Sequence, residues 1–376
     1  RAETQAVCTL LTDAGYQALV VGGCVRNTLL GMAVGDIDIA TDALPENVTV
    51  LAEKAGFRVV PTGMDHGTVT IISGGLPYEI TTFRRDVATD GRRAVVAFST
   101  SIREDAARRD LTMNALYATP SGRVIDPLGG LADLQARRVR FVGEAQARIR
   151  EDYLRILRFF RFHAIYGDPE GGLDTEGLAA CAANSAGIET LSRERVGAEM
   201  RKLLGARDPG PAVAAMTQAG VLAHVLPGAD DRALAPLVHL EAGVARAPHW
   251  LRRLAVLGGE GQTERLRLSR AESVDLGRIR DEIGSLRGAA ELAYRHSEAI
   301  AGDIILARAA LLQTPPPEGW QAEAGRGVAA RFPLTAADLM PGLQGAALGA
   351  RLKELEARWI ASGLALTRAE LLALDA

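Results

Sequence analysis

Asp36 and Asp38 stand two residues apart in Gly35-Asp36-Ile37-Asp38-Ile39-Ala40-Thr41. In an extended strand that spacing projects both carboxylates from one face, with Ile37 and Ile39 turned to the other. Adjacent carboxylates repel, and one pKa rises unless a cation neutralises them. Mg2+ takes hard oxygen ligands and shares its shell with substrate phosphates, so it suits such a pair. Asp36 and Asp38 are therefore candidate catalytic residues and metal ligands. Two ions about 3.5–4 Å apart can activate a hydroxyl and stabilise a departing pyrophosphate in an in-line displacement. A DxD alone is a weak signal, since solvated turns and calcium loops carry it too. Upstream, Gly22-Gly23-Cys24-Val25-Arg26 ends a β-branched run and opens a helix. The backbone N–H groups of Gly22 and Gly23 can approach a phosphate there, and Arg26, one turn on, can add a guanidinium. A plain tight turn with a surface arginine explains the glycines, but not their place before a DxD strand. Glu79, in Tyr78-Glu79-Ile80-Thr81-Thr82-Phe83-Arg84, is a third catalytic candidate. If its strand neighbours the DxD strand, Glu79 completes the metal cluster; by itself an exposed strand glutamate is the commoner reading.

The surrounding pattern supplies elements that could hold these groups. Ala18–Val21, Asp36–Ala40, His66–Ser73, Tyr78–Phe83, Val124-Ile125 and Arg138–Val142 read as strands, and Val25–Leu30 as a helix. Gly74-Gly75 signals a hairpin turn, and Asp90-Gly91-Arg92-Arg93 a polar loop. After Ala145 strand signals cease, and apolar residues recur at helical spacing, as in Ile149, Tyr153, Ile156 and Phe160. Asp208-Pro209-Gly210-Pro211, Pro227-Gly228 and Pro315-Pro316-Pro317 interrupt this helical region, with Gln313–Gly319 the best linker candidate. The class is α+β: a mixed sheet with helices, followed by an all-α remainder.

Composition narrows the function. At 376 residues, two or more domains are expected. No apolar run approaches the roughly 18 residues of a membrane span, and no signal-peptide pattern opens the chain. Cys8, Cys24 and Cys181 are scattered, which points to neither disulfides nor zinc and suits a reducing cytoplasm. A net charge of −3 argues against nonspecific coating of nucleic acid, and only three of the 43 basic residues are lysines. Between Arg137 and Arg161, however, eight arginines face only Glu144, Glu151 and Asp152. That is either a patch for a phosphate backbone or a solvated helix face. The six histidines are dispersed, and none is assigned to a metal.

Gly22-Gly23-x-Val25-Arg26, Asp36-x-Asp38, Arg108-Arg109-Asp110-Leu111-Thr112-x-Asn114-Ala115-Leu116, Asp126-Pro127-x-Gly129-Gly130 and Glu151-Asp152-x-x-Arg155 occur in that order. The set resembles the class II tRNA nucleotidyltransferases (CCA-adding enzymes) and bacterial poly(A) polymerases. The resemblance runs from about Val20 to Phe162. It implies a polymerase-β-like head at residues 1–137, a helical neck with a base-reading motif at 138–205, a helical body at 206–310 and a tRNA-binding tail at 311–376. It implies that Arg109 and Asp110 contact ribose and phosphates and that Asn114 adds another such contact. An aspartate accepting from a 2′-hydroxyl would favour ribonucleotides; helix capping is the structural alternative for Asp110. In the family, Asp152 and Arg155 read the incoming base. On a helix they would be neighbours, able to accept from the exocyclic amine of cytosine or adenine and to reject the carbonyl of uracil or guanine. Arg158 continues that side. Without the resemblance, Asp152 and Arg155 would be an ordinary helix ion pair.

Two positions depart from the family pattern: Asn27 stands where Asp is usual, and Met32 where Arg is common. Within the family, Pro61-Thr62-Gly63 with His66-Gly67-Thr68-Val69, the absence of a His-Asp dipeptide, and the Asp90–Arg93 loop favour CCA addition from CTP and ATP. Poly(A) synthesis, addition of A alone, and a non-catalytic RNA-binding relative are the alternatives. Transfer to a small molecule fits poorly with the long helical remainder. The expected partner is tRNA, the cofactor Mg2+ and the compartment cytoplasmic, with no membrane and no protein partner.

Overall fold

The computed structural model describes every residue except Thr62, Gly91, Arg92, Pro341, Asp375 and Ala376. The chain divides into two compact units, Arg1–Pro227 and Gly228–Ala376.

The strands of the first unit are β1 (Leu19–Val21), β2 (Ile37–Thr41), β3 (Arg58–Val60), β4 (Thr68–Ser73), β5 (Leu76–Thr82), β6 (Arg84–Asp90), β7 (Arg93–Phe98), β8 (Tyr117–Ala118) and β9 (Val124–Ile125). Seven of them form one sheet in the order β3-β4-β5-β2-β1-β8-β9, while β6 and β7 pair as a separate hairpin. β2 and β5 run parallel; the other described pairs are antiparallel. The helices are α1 (Ala2–Asp13), α2 (Gly23–Leu29), α3 (Pro45–Lys54), α4 (Ile102–Ala107), α5 (Gly130–Gln135), α6 (Ala145–Glu151), α7 (Leu154–Tyr166), α8 (Thr175–Ala183), α9 (Arg193–Leu204), α10 (Gly210–Gln218) and α11 (Val221–Val225).

Strand alternation sorts the core into two layers. Ile37 and Ile39 pack with Val69, Ile71, Tyr78 and Ile80 beneath Val7 and Leu11 of α1 and Val48 and Ala52 of α3. The opposite face sets Leu19, Val21, Ala40 and Phe83 against Ala106, Ala115 and Tyr117. Asp38 and Glu79 therefore belong to the face away from α1 and α3. Gly74 and Gly75 both have positive φ, 57° and 80°, as the two-residue turn joining β4 to β5 requires.

Two expected elements differ. Arg138–Val142 is not a strand: Val139 and Phe141 are buried, but pairing is confined to a single bridge, Leu111↔Phe141. The stripe from Ile149 to Phe160 is not one helix. Asp152 is extended (φ −157°, ψ 105°), ending α6, and its carboxylate accepts the N–H of Leu154 to start α7. Two signature segments reach outside the described residues, Pro61-Thr62-Gly63 at Thr62 and the Asp90–Arg93 loop at Gly91 and Arg92.

The described elements of the second unit are helical: α12 (Leu234–Gly243), α13 (Trp250–Leu257), α14 (Gln262–Arg265), α15 (Arg270–Ile283), α16 (Ala289–Arg295), α17 (Glu298–Leu312), α18 (Trp320–Ala329), α19 (Ala336–Leu339), α20 (Gly345–Ala361) and α21 (Arg368–Ala373). Gln313–Gly319 connects α17 to α18, and both pack against α16. Near the end of the chain, Leu334, Leu339, Leu355, Trp359, Ile360 and Leu371 form a separate apolar cluster. No described helix is long and apolar enough to cross a membrane.

Candidate active site

β1 runs into Gly22, whose φ of 73° and ψ of −123° lie where a side chain is strained, and α2 begins at the next residue. The Gly22 N–H is held by the Leu116 carbonyl at 3.1 Å. Neighbouring strands bring the acids to this corner. Val21 pairs with Asp38 across β1–β2, and Asp38 pairs with Glu79 across β2–β5. Asp36 lies exposed just before β2, Asp38 is half-buried, and Glu79 is exposed. Burial, and then the charge of Glu79, pushes the Asp38 carboxyl above the usual aspartate range; Arg109 opposes this and Asp36 adds to it. Such an acidic, hard-oxygen group suits a divalent cation. Among the described residues, however, no three acidic, histidine or cysteine side chains are gathered closely enough to hold a metal by themselves. Glu79 sits beside Asp38, as its strand position anticipated, without closing a ligand cluster. A cation here would draw the rest of its shell from substrate and water.

The remaining candidates form a connected polar chain. Arg26 is buried; its guanidinium donates to Asn114 Oδ1 (2.5 Å), Tyr166 Oη (2.7 Å) and Asn27 Oδ1 (2.9 and 3.1 Å), and lies 4.0 Å from the Tyr166 ring centroid. All three of its nitrogens are thus engaged within the chain. Asn114 Nδ2 donates to Asp110 (3.0 Å), which also accepts from Arg158 at 2.6 Å. Burial works to raise the Asp110 carboxyl, but Arg158, then Asn114 and the Leu111 N–H, hold it below the usual range. Arg109 donates to Tyr117 Oη (3.2 Å) and Asp105 (3.1 Å), beside the glycine corner.

Asp152 and Arg155 do not pair with each other, because the break at Asp152 turns its carboxylate toward α9, where Arg195 donates at 2.6 Å. Arg155 instead bonds Glu151 (2.6 Å) and the Arg148 carbonyl (2.9 Å). The local excess of arginine is also largely matched. Arg138 and Arg140 meet Asp133, Arg148 and Arg155 meet Glu151, and Arg158 and Arg161 meet Glu199. The interval from Arg137 to Arg161, open to reading as a phosphate patch or a solvated face, is therefore largely an ion-pair network, completed by Asp133 and Glu199 from outside it.

Residues 18–140 match the family described as the poly A polymerase head domain, and residues 172–232 match the probable RNA and SrmB-binding site of polymerase A. The chain is 40% identical over 247 residues to the CCA-adding enzyme of Geobacillus thermodenitrificans, covering 65% of this chain and 55% of that one. It is 43% identical over 196 residues to human mitochondrial CCA tRNA nucleotidyltransferase 1, covering 52% and 45%. The fold superimposes on the Bacillus stearothermophilus CCA-adding enzyme, solved in complex with CTP, with a TM-score of 0.76 and 29% identity over 100% of this chain and 97% of that one. Over these segments the chain resembles the tRNA nucleotidyltransferase and poly(A) polymerase family. It spans about half the length of the first curated relatives it matches.

Within this family frame, the departures acquire local explanations. Asn27 Oδ1 accepts from Arg26 while its Nδ2 donates to the Ala33 carbonyl (2.9 Å), a bond that an aspartate could not make. Met32 is exposed, and nothing in the structure explains its replacement of arginine. The Asp126-Pro127-x-Gly129-Gly130 motif is architectural. Asp126 accepts the N–H groups of Gly130 and Leu131, both at 2.9 Å. A Cβ at Gly130 would lie 2.2 Å from the Thr112 carbonyl oxygen, so only glycine lets α5 pack on the Arg109–Asn114 segment. Sequence reasoning missed Asp105, Tyr117, Tyr166, Glu199 and Arg195. Asp105 and Arg109 did carry an i,i+4 signal; the partners on α7 and α9 are too distant in sequence to be paired by spacing.

Proposed function

We propose that this chain adds C, C and A to the 3′ end of tRNA from CTP and ATP, releasing pyrophosphate, without a nucleic-acid template. The observation that carries the reading is the strand register placing Asp38 between Val21, at the mouth of the Gly22-Gly23 corner, and Glu79. The triphosphate lies against that corner beside Arg109, with the Gly23 N–H at the start of α2 as a donor; the Gly22 N–H, expected to reach a phosphate, is taken by the Leu116 carbonyl. Asp36 and Asp38, with Glu79 beside them, would hold Mg2+, which when bound would lower the pKa of the RNA 3′-hydroxyl and neutralise charge on the phosphates. The 3′-oxygen bonds to the α-phosphorus as the bond from that phosphorus to the α,β-bridging oxygen breaks, pyrophosphate leaves with the electron pair of that bond, and the hydroxyl proton passes to solvent water.

Asp110 accepts from the ribose 2′-hydroxyl, and Asn114 and Arg26 fix its orientation. Asp152 and Arg155 read the base edge. To do so they exchange their partners Arg195 and Glu151 for the base edge. Arg158 anchors the ribose-binding Asp110 to α7. The likeness to CCA-adding enzymes, including the one solved with CTP, supports this reading. We assign the head, neck, body and tail to residues 1–137, 138–205, 206–310 and 311–376, with the last two gripping tRNA by shape and phosphate contacts. Three unbridged, buried cysteines suit a reducing cytoplasm.

The deciding experiment supplies tRNA lacking its terminal A, CA or CCA with CTP and ATP, separately and together. Addition that stops after CCA is expected. A long adenosine ladder would reassign the chain to poly(A) synthesis, and addition of A alone to a narrower enzyme.

A further inference from the structure

Asp105 belongs to none of the motifs above, yet it is 3% exposed and accepts three hydrogen bonds. Tyr117 Oη donates at 2.6 Å, Arg109 Nη2 at 3.1 Å and the Arg84 N–H, at the start of β6, at 3.3 Å. A buried carboxylate requires both a countercharge and hydrogen bonds, and Arg109 supplies the former. The same guanidinium donates through Nε to Tyr117 Oη at 3.2 Å, and its centre lies 5.2 Å from the Tyr117 ring centroid. One edge of the fork is thereby fixed by Asp105 and Tyr117. The opposite nitrogen, Nη1, contacts the Asn114 carbonyl at 3.5 Å and lies 3.4 Å from where a Cβ on Gly22 would stand. A long side chain that would otherwise sample many rotamers is held with one donor edge over the glycine corner.

We infer that Asp105, with Tyr117 as the second anchor, is the positioning residue that presents Arg109 to the phosphates of an incoming nucleoside triphosphate. The inference rests on the reading that the Gly22-Gly23 corner receives such a triphosphate. Asp105 touches no substrate; it acts by preorganising a group that does, so its loss falls on nucleotide binding before chemistry.

Asp105→Asn keeps the shape and one acceptor oxygen while removing the countercharge. In the full-length chain it should weaken CTP binding, read by calorimetry and by KM, about tenfold, the scale of one charge-assisted hydrogen bond. The change in kcat should stay within about threefold. Tyr117→Phe, which loses only the hydroxyl, should weaken binding about threefold. The discriminating measurement is a double-mutant cycle. If Asp105 acts through Arg109, then Asp105→Asn combined with Arg109→Ala binds CTP no more weakly than Arg109→Ala alone. Additive losses, or a fall in kcat with CTP affinity unchanged, would overturn the inference. If Asp105→Asn does not fold, the cycle between Tyr117→Phe and Arg109→Ala decides by the same criterion. A wild-type chain that binds CTP but transfers nothing would sink the proposed reaction, and the calorimetric cycle would still decide the role of Asp105. A wild-type chain that binds no nucleoside triphosphate would overturn both.

Discussion

Carboxylates in the two units sit in opposite electrostatic settings. In the first unit, Asp38 and Glu79 are cross-strand neighbours with Asp36 just before β2, and burial, then Glu79 and to a lesser extent Asp36, drives the Asp38 carboxyl up. In the second, Glu241 and Asp303 are buried at 2% and 2% exposure and enclosed by cations. Arg252 bonds both, Arg253 bonds Glu241, and Arg246 and His249 bond Asp303. Burial works to raise Asp303, but His249, Arg252 and Arg246 hold it below the usual range. Glu282 likewise sits at about 2, because Arg287, Ser285 and His296 outweigh its burial. Acids left in mutual repulsion are the ones a cation from outside the chain would stabilise, whereas acids matched within it hold helices together. The same contrast bears on the arginines: Arg252 and Arg253, at 1% and 0% exposure, are consumed in the helical core and are not available to RNA.

The largest expected effect breaks the unmatched group. Asp36→Ala or Asp38→Ala should lower nucleotide incorporation by about a thousandfold or more, the several kcal/mol of charge stabilisation that a metal site supplies. tRNA binding, measured by filter retention, should remain close to wild type. Turnover near the wild-type rate would mean that these acids hold no cation. Next in size is the matched group. Glu241→Ala leaves Arg252 and Arg253 buried with a lost countercharge, and should destabilise the second unit by about 3–5 kcal/mol. Denaturant unfolding followed by circular dichroism reads this directly, and a loss below about 1 kcal/mol would show that water reaches those arginines.

How far the sequence could reveal this contrast depends on the distance over which each group is matched. The face of Asp38 was legible because a two-residue period fixes which side chains share a strand face, and Ile37 and Ile39 do pack in the layer opposite it, whereas Asp36, expected in the same strand, lies just before that strand. The glycine corner was legible because few residues tolerate its backbone. Alternation in Arg138–Val142 truthfully reported burial of Val139 and Phe141, but burial does not specify a hydrogen-bonding partner, and that segment found one bridge. The break at Asp152 left no mark on the apolar stripe, since Ile149 and Ile156 are buried on either side of it. Its one local sign, an aspartate two residues before a helical N–H that it caps, is common on continuous helices too. Pairings such as Asp152 with Arg195, or Arg26 with Tyr166, join residues 43 and 140 positions apart and follow only from the fold.

A smaller effect tests whether the paired charges near the base site are on loan. Arg155→Ala removes the donor that Glu151 holds in the free chain. In a four-nucleotide competition, preference for CTP and ATP over UTP and GTP should fall by about 10–100-fold, the range of one or two lost directional hydrogen bonds. Unchanged selectivity would leave Arg155 as part of the structural network and move base reading elsewhere. A fall in selectivity would instead make Asp152 and Arg155, paired with Arg195 and Glu151, charges that serve both the fold and the nucleotide.

The smallest effect is a gain of stability from a conservative substitution at Asp38. A carboxyl whose native pKa lies above its unfolded value keeps its proton to higher pH in the native state than in the unfolded one. Stability then falls as pH rises through the interval between those two values and carries the full penalty at neutral pH. Asp38→Asn removes the ionisable group while preserving its shape. Without divalent cations at pH 7, this variant should therefore melt above the wild type, by about 1–3 °C because Asp38 is only half-buried. The advantage should vanish below about pH 4, where aspartate is protonated in both states. Added Mg2+ should raise the wild-type melting temperature and leave the variant nearly unmoved, since a cation and a neutral amide relieve the same repulsion. A variant that melts at or below the wild type in metal-free buffer at pH 7 would place Asp38 among the matched acids and erase the distinction between the two units.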